Sequence, residues 1–374
     1  MSAAVSARWI TGRRFDLLWY LGACLTGYCL IYLHVGVGIS AALLVWFWIL
    51  TVDGPHVFGT LSRTYADSEE WRTRRSLLLG SLLWFLVGPV VVFASALSET
   101  RVPFLVFLTI AQLWAYWHVV RQHYGFMVLY QKKNAEPAGK ENPVDYWVFY
   151  VWMLAPFVSF ILRHPDARSQ MGLAAALTSR EDALVLALDL LFAGASALYV
   201  AKEAKRAASG APWNLPKNLF FLAAVPLHLL IFRHPVVSTQ VDIRLFAVFV
   251  TYYHNIQYHG IVWFYNRNRY QTGDPKRFGS ATLVSRNFLT YYALGILFTL
   301  AYRYPNWFLA GSPMPFLPGP NAVSATALGP FFSVSDLAIA FWWGFAFHHY
   351  YLDQKIWRVS RDPALTRDLK LATT

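Results

Sequence analysis

Four short polar stretches that contain histidine interrupt the apolar runs of this 374-residue chain. They cover residues 53–56, 117–124, 252–260 and 347–353. Imidazole and carboxylate groups within an apolar helix are energetically costly unless something binds them, which makes each stretch a candidate for metal or proton chemistry. We predict that the four stretches converge on one metal centre.

The spacing of the histidines limits what a single helix can hold. His118 and His123 are five residues apart, as are His254 and His259. On an α-helix, positions five apart point about 140° from each other and lie about 7.5 Å apart along the axis. Each pair therefore suits two adjacent metal ions, or a single ion if a π-bulge turns one of the side chains.

Two carboxylates accompany the histidines. His349 and Asp353 are four residues apart, so they share one face of a helix. Asp53 and His56 are three apart, but the Gly-Pro pair between them is expected to break or kink the helix. The full predicted ligand set combines histidines and aspartates from all four stretches: His56, His118, His123, His254, His259, His348, His349, Asp53 and Asp353.

The types of ligand narrow the choice of metal. Imidazoles with one or two carboxylates suit iron, zinc, copper or manganese better than calcium or magnesium. The chain has no His-Glu-x-x-His motif, which argues against a zinc metalloprotease of that type. We expect Gln122, Asn255 and Gln257 to orient the ligand rings. Arg121 is expected to hold a ligand carboxylate or an anionic substrate headgroup.

The composition is that of a polytopic membrane protein. Hydrophobic residues make up 56% of the chain and charged residues only 14%, whereas soluble domains carry about 25% charged residues. A net charge of +12 would suggest nucleic acid in a soluble protein. Here the basic residues lie between apolar runs, so membrane orientation explains them and no nucleic-acid partner is expected. Cys24 and Cys29 both lie in the first apolar run, which excludes a disulfide framework.

Ten apolar segments are long enough to cross a bilayer, which takes about 20 residues. We predict spans at residues 15–34, 39–61, 77–97, 104–130, 146–162, 183–200, 218–232, 243–265, 288–302 and 331–357. They form an all-α polytopic bundle over residues 15–357, between tails at 1–14 and 358–374. The whole chain, 1–374, is expected to be a single membrane domain.

The positions of the basic residues orient the predicted spans. With a cytoplasmic N-terminus, most of the 32 Lys and Arg residues fall in cytoplasmic loops and in the C-terminal tail. This distribution matches the positive-inside rule. We therefore expect both termini in the cytoplasm and the protein in a bacterial inner membrane. The four histidine stretches then lie at the cytoplasmic ends of the second, fourth, eighth and tenth spans.

This arrangement resembles the membrane di-iron family of fatty acid desaturases, alkane hydroxylases, and sterol or carotenoid hydroxylases. The resemblance is carried by histidine pairs at the cytoplasmic ends of spans, His118/His123, His254/His259 and His348/His349. That family uses His-x-x-x-His and His-x-x-His-His boxes, whereas this chain has His-x-x-x-x-His twice and His-His-x-x-x-Asp once. The resemblance implies a pair of iron ions that activates dioxygen.

We therefore expect a membrane-embedded oxidoreductase that hydroxylates, desaturates or cleaves a lipid-like substrate. A cytoplasmic reductase or ferredoxin would supply the electrons, and the basic cytoplasmic face would attract an acidic donor. Aromatic ring faces are expected to line the substrate pocket, from Trp117, Tyr124, Tyr253, Tyr258, Trp263 and Tyr350. Two alternatives stay open. One is a haem-binding electron carrier, which needs only two histidines. The other is a transporter of metal ions or protons, for which Asp189 and His228 are the polar candidates.

Overall fold

The chain is almost entirely α-helical. The computed structural model describes residues 5–171, 177, 179–311 and 321–371. Within these residues, strand pairing is limited to an isolated bridge and a two-residue parallel ladder between Val5–Ser6 and Trp213–Asn214. The prediction of an all-α fold is therefore confirmed.

Seven helices are long and apolar enough to cross a membrane. They are α1 (Arg13–Gly36), α2 (Ala41–Arg63), α3 (Arg75–Leu97), α4 (Val102–Lys133), α5 (Pro143–Arg163), α6 (Glu181–Ala208) and α7 (Leu215–Arg233). Each overlaps one of the first seven predicted spans. This count covers the described residues, and it indicates an integral membrane protein.

Three further helices coincide with the eighth, ninth and tenth predicted spans. They are α8 (Ile243–Tyr270), α9 (Phe288–Ala310) and α10 (Val334–Ile356). Helix α9 extends beyond its predicted end at Tyr302 and passes through Pro305. These helices are long enough to span a bilayer but are not among the seven apolar ones. The count of ten spans therefore stays a prediction.

Short helices fill the connections between the long ones. They are Ser68–Thr73, the 3-10 turn Gly139–Glu141, Pro165–Met171, Pro235–Gln240, Pro275–Phe278, Ala281–Val284 and Pro363–Asp368. Most of them begin with proline. Its fixed φ suits the first turn of a helix, where its missing N–H costs no hydrogen bond.

The starts of several long helices follow from local sequence. Asn142 and Asn214 each accept a hydrogen bond from a backbone N–H in the first turn, and a proline follows each closely. Ser333 forms a capping box with Asp336 at the start of α10. Such caps satisfy backbone donors that the helix itself leaves unpaired. They account for where α5, α7 and α10 begin.

The long helices differ in regularity. π-Helical segments interrupt the first two helices, at Leu17–Leu21 and Tyr32–Gly36 in α1 and at Ile49–Asp53 in α2. By contrast, α4 and α8 are α-helical throughout. The π-bulge considered for the two histidine pairs is therefore absent. As a result, His118 and His123 leave α4 in different directions.

The described chain divides into two compact units. The first contains residues 5–39 and 117–254, and the second contains residues 40–116 and 255–371. Helices α4 and α8 each run from one unit into the other. The prediction of a single membrane domain stays a prediction.

A buried ion cluster joins the helix ends in the first unit. The Nζ atom of Lys217 lies 2.9 Å from a Glu136 carboxylate oxygen, 2.9 Å from one of Asp145 and 3.5 Å from one of Glu203. The Lys217 side chain is fully buried. Lys202 pairs with Asp145 as well, at 2.5 Å. The cluster links α5, α6 and α7 to the connection between α4 and α5.

Close approach of two helices fixes α10 in the second unit. A Cβ atom at Gly88 of α3 would lie 2.1 Å from the carbonyl oxygen of Ala340. A Cβ atom at Gly344 would lie 2.7 Å from the Cα atom of Phe85. Glycine at both positions lets the two backbones approach closely. Buried aromatic rings surround this crossing, namely Phe104, Phe107, Phe332 and Phe347.

Candidate metal centre

Four buried histidines come together in the first unit. Helix α4 contributes His118 and His123, α7 contributes His228, and the first half of α8 contributes His254. None of them exposes more than 6% of its surface. These four residues are the first histidine group.

The ring separations in the first histidine group are close to those that a shared ion requires. The ring centroids of His118 and His254 are 5.1 Å apart. Those of His123 lie 6.3 Å from His254 and 6.2 Å from His228. Two imidazoles on one ion, with metal–nitrogen bonds of about 2.1 Å, place their centroids roughly 4.5 to 5.5 Å apart. The His118–His254 pair falls within this range, whereas His123 lies beyond it.

His123 is held in the tautomer that a metal ligand needs. Its Nδ1 atom lies 2.7 Å from the carbonyl oxygen of Val119. A carbonyl oxygen only accepts hydrogen bonds, so Nδ1 carries the proton and Nε2 keeps its lone pair. Within the described part of the chain, the buried Nε2 atom has no hydrogen-bond partner. A backbone carbonyl that fixes the ring from one side is a common support for histidine ligands.

His228 belongs to this group although no sequence pattern included it among the predicted ligands. It stands alone in an apolar run, with no other histidine at helical spacing. The structure places its Nε2 atom in a hydrogen bond with the Tyr253 hydroxyl, and the Tyr253 ring is 5.1 Å from that of His123. Only the packing of α7 against α4 and α8 reveals this neighbourhood.

The other residues singled out on α4 have different surroundings. Gln122 donates from Nε2 to the backbone oxygen of His254 at 2.9 Å, so it joins α4 and α8. Arg121 is exposed and donates to the Tyr150 hydroxyl at 2.5 Å. Trp117 and Tyr124 stack on the ring of Tyr150. Trp117 is exposed, so this aromatic cluster lies at the surface of the first unit and not against the histidines.

A second histidine group lies in the second unit and consists of His56, His349 and Asp353. The ring centroids of His56 and His349 are 4.2 Å apart, and both rings are buried. The Nε2 atom of His349 lies 3.6 Å from an oxygen of Asp353, which confirms that these two residues share a face of α10. Helix α2 supplies His56 to the same place.

Thr60 connects the members of the second histidine group. Its hydroxyl oxygen lies 2.6 Å from Nδ1 of His349, 2.7 Å from the Tyr258 hydroxyl and 3.0 Å from Oδ1 of Asp353. Tyr258 also donates to the same Asp353 oxygen at 2.7 Å. A threonine hydroxyl in contact with Nδ1 leaves Nε2 as the ring atom that faces Asp353. The sequence offered no signal for Thr60, because one threonine in an apolar helix is usually a packing residue.

Two predicted ligands have other partners in the second unit. Asp53 accepts a hydrogen bond from Arg303 at 2.9 Å, which forms an ion pair. His259 has contacts at both ring nitrogens, with Tyr291 at 2.9 Å and with the Val52 carbonyl oxygen at 3.4 Å. In this arrangement neither ring nitrogen of His259 is left to bind a metal.

His348 is a third predicted ligand that has another partner in the second unit. Its Nε2 atom lies 2.9 Å from the Tyr65 hydroxyl. The Tyr65 hydroxyl also lies 2.7 Å from the Leu78 carbonyl oxygen and 3.0 Å from the Ser81 hydroxyl. In this arrangement Nε2 of His348 has a protein partner.

The other predicted site residues of the second unit differ in whether they contact the second histidine group. Asn255 is buried and hydrogen-bonds to Asp53. Gln257 is buried. Trp263 contacts Phe288 and Tyr291, whereas the ring of Tyr350 lies 5.6 Å from that of His349. Of the predicted pocket residues in this unit, Tyr258 and Tyr350 therefore adjoin the group.

Comparisons of the chain with family models, with curated proteins and with solved structures found no match.

The fold and the two histidine groups define the class of protein, which is a helical integral membrane protein with buried histidines. The convergence of all four stretches on one centre concerns both units and stays a prediction.

Proposed function

We propose that this chain is a metal-dependent oxidoreductase of the membrane and that each histidine group binds one transition-metal ion, iron in the first instance. The first ion would be held by His118 and His254, with His123 and His228 beside them. The second would be held by His56, His349 and Asp353. The observation that supports this most directly is the buried His118–His254 pair, whose ring centroids are 5.1 Å apart and whose ligand atoms lie within 4.8 Å of each other. Because Asp53, His259 and His348 have protein partners, we leave them out of the ligand set.

The donor atoms suit redox chemistry with dioxygen. Neutral imidazoles and a carboxylate bind ferrous iron, and copper, zinc and manganese fit the same donors. When bound, iron would supply the reduction of dioxygen. Hydroxylation takes two electrons and two protons from outside, puts one oxygen atom into a C–H bond and releases the other as water. Desaturation takes two hydrogens from the substrate and, with the same two electrons and two protons, releases two waters.

The chain's own residues would exclude water and hold an apolar substrate. Tyr253 lies against the first histidine group, and Tyr258 and Tyr350 lie against the second. Aromatic walls favour a long apolar molecule such as an acyl chain or a terpenoid. Both groups are buried, which keeps water from a strong oxidant. A cytoplasmic reductase or ferredoxin would deliver the electrons.

The proposal includes a ten-span topology with both termini in the cytoplasm of a bacterial cell. It predicts that cysteines placed at Ser68 and Ser209 are shielded from a membrane-impermeant thiol reagent in intact cells, while a cysteine at Ser98 reacts. All three serines are exposed, so folding does not hide them. The background should carry Cys29→Ser, because Cys29 is exposed whereas Cys24 is buried. Labelling at Ser68 from outside the cell would reverse the orientation.

The test of the reaction is a comparison of lipid extracts. Cells with the gene deleted are expected to lack an oxygenated or desaturated lipid or pigment that wild type and His164→Ala restore and His254→Ala does not. Because dioxygen is a substrate, anaerobic growth should reproduce the deletion. An unchanged profile from cells whose protein does carry metal would rule out a lipid oxidoreductase.

One observation favours a second candidate, a proton transporter. The first unit contains a buried series of polar groups, from His228 through Tyr253 to His123, within apolar helices. Such intramembrane series commonly relay protons. Metal-free wild-type protein that conducts protons in vesicles, with loss of conduction in His228→Ala, would support this function instead.

A further inference from the structure

An exposed arginine lies among aromatic rings on the surface of the first unit. Arg121 belongs to α4, and its guanidinium donates to the Tyr150 hydroxyl at 2.5 Å. The guanidinium carbon also lies 4.7 Å from the ring centre of Tyr124. One edge and one face of the planar group are thereby fixed, so its other N–H donors point in a set direction.

The surroundings of Arg121 provide no carboxylate. In the described part of the chain, no ion pair includes Arg121. The acidic residue at the start of the adjacent helix α5 is Asp145, and it is already paired with Lys202 and Lys217. The positive charge of Arg121 is therefore not balanced by the described protein, although this helix lies in a membrane.

When the hydrocarbon core is taken to begin at Val102, the first residue of α4, Arg121 lies at its opposite edge. From Val102 to Arg121 is nineteen residues, which at a rise of about 1.5 Å each is close to the ~30 Å thickness of the hydrocarbon core. The neighbouring rings include Trp117, which is 39% exposed, and Trp147, which is 65% exposed. Tryptophan and tyrosine concentrate at the membrane interface, where phosphate headgroups lie.

We propose that Arg121, with Tyr150 and Tyr124, binds the phosphate of an anionic phospholipid. Arginine pairs with phosphate through two parallel hydrogen bonds, and this geometry is favoured when the guanidinium is already oriented. The exposed ring of Trp117 would lie along the upper acyl chain. This site is independent of the proposed metal chemistry and needs neither ion.

Native mass spectrometry of the full chain, released from vesicles of phosphatidylglycerol and phosphatidylcholine, tests the site. Arg121→Gln is expected to lower retention of phosphatidylglycerol roughly five- to tenfold and to leave phosphatidylcholine unchanged. Arg121→Lys should keep the charge but lose the paired geometry, and so fall between the two. Tyr150→Phe should also weaken retention, because it releases the guanidinium.

The matched control is Lys205→Gln, which removes an exposed positive charge from α6. Among the described residues, no aromatic ring is recorded against the Lys205 ammonium group. It should retain phosphatidylglycerol like the wild type. Equal losses in Lys205→Gln and Arg121→Gln would show only general attraction to negative charge and would overturn the proposal. So would wild-type retention in Arg121→Gln, which would leave an acidic protein partner as the occupant. If Arg121→Gln does not fold, unchanged retention of phosphatidylglycerol in both Arg121→Lys and Tyr150→Phe would likewise overturn the proposal.

Discussion

His254→Ala is expected to lose the metal ion of the first histidine group, which is about half of the metal bound by the purified protein. The His254 ring is buried, and its centroid lies 5.1 Å from that of His118. Loss of a residue that only supports a ligand lowers metal affinity about 10- to 100-fold, and loss of the ligand itself should exceed that range. The measurement is elemental analysis of detergent-purified protein after removal of any histidine tag, followed by titration with ferrous iron.

The control for this experiment is His164→Ala in the same unit. His164 is also buried, but it packs against Phe160 and Phe246, and among the described residues no histidine ring contacts it. Its removal should leave metal content unchanged. In the second unit, His349→Ala should lower metal content, and His259→Ala should not. Equal losses in His254→Ala and His164→Ala would mean that metal content follows folding, and the site assignment would then be wrong.

Lys217→Met is expected to reduce the stability of the protein by about 3–5 kcal/mol, the usual effect of removing one partner from a buried ion pair. The side chain of Lys217 is fully buried between Glu136 and Asp145. After its removal, the carboxylates of Glu136, Asp145 and Glu203 would have only Lys202 and Arg206 as cationic partners in the cluster. Thermal unfolding of the protein in detergent, followed by circular dichroism, would measure the loss.

Two variants separate this effect from a general loss of charge. Arg233→Met breaks a pair with the half-exposed Asp189 and should change stability by about 0–1 kcal/mol. Adding Asp145→Asn to Lys217→Met removes the surplus negative charge and should restore part of the stability. A Lys217→Met protein as stable as Arg233→Met would show that the cluster does not hold the first unit together.

The sequence predicted where the long helices lie because those signals are local. The first seven predicted spans each overlap a helix of the structure, and the caps at Asn142, Asn214 and Ser333 lie beside three of the helix starts. The spacing of His349 and Asp353 likewise predicted that they share a face, since both lie on one turn of one helix. Composition alone was enough to indicate a membrane protein.

The sequence did not predict which histidines are placed to act as ligands. In a membrane-spanning helix the whole circumference is apolar, so hydrophobic periodicity does not show which face meets a neighbour. His259 was grouped with His254, yet its partner Tyr291 comes from another helix. Asp53 was grouped with His56, yet Arg303 of α9 pairs with it.

Residue identity, local spacing and composition therefore determined the helices, the membrane class and the set of candidate ligands. The tertiary structure alone decided that His228 joins His123, that Thr60 links His349 to Asp353, and that His259 and Asp53 have other partners. The physical reason is that these contacts depend on the rotation of each helix about its axis. That rotation is fixed by close packing between helices distant in sequence, as where Gly88 meets Ala340.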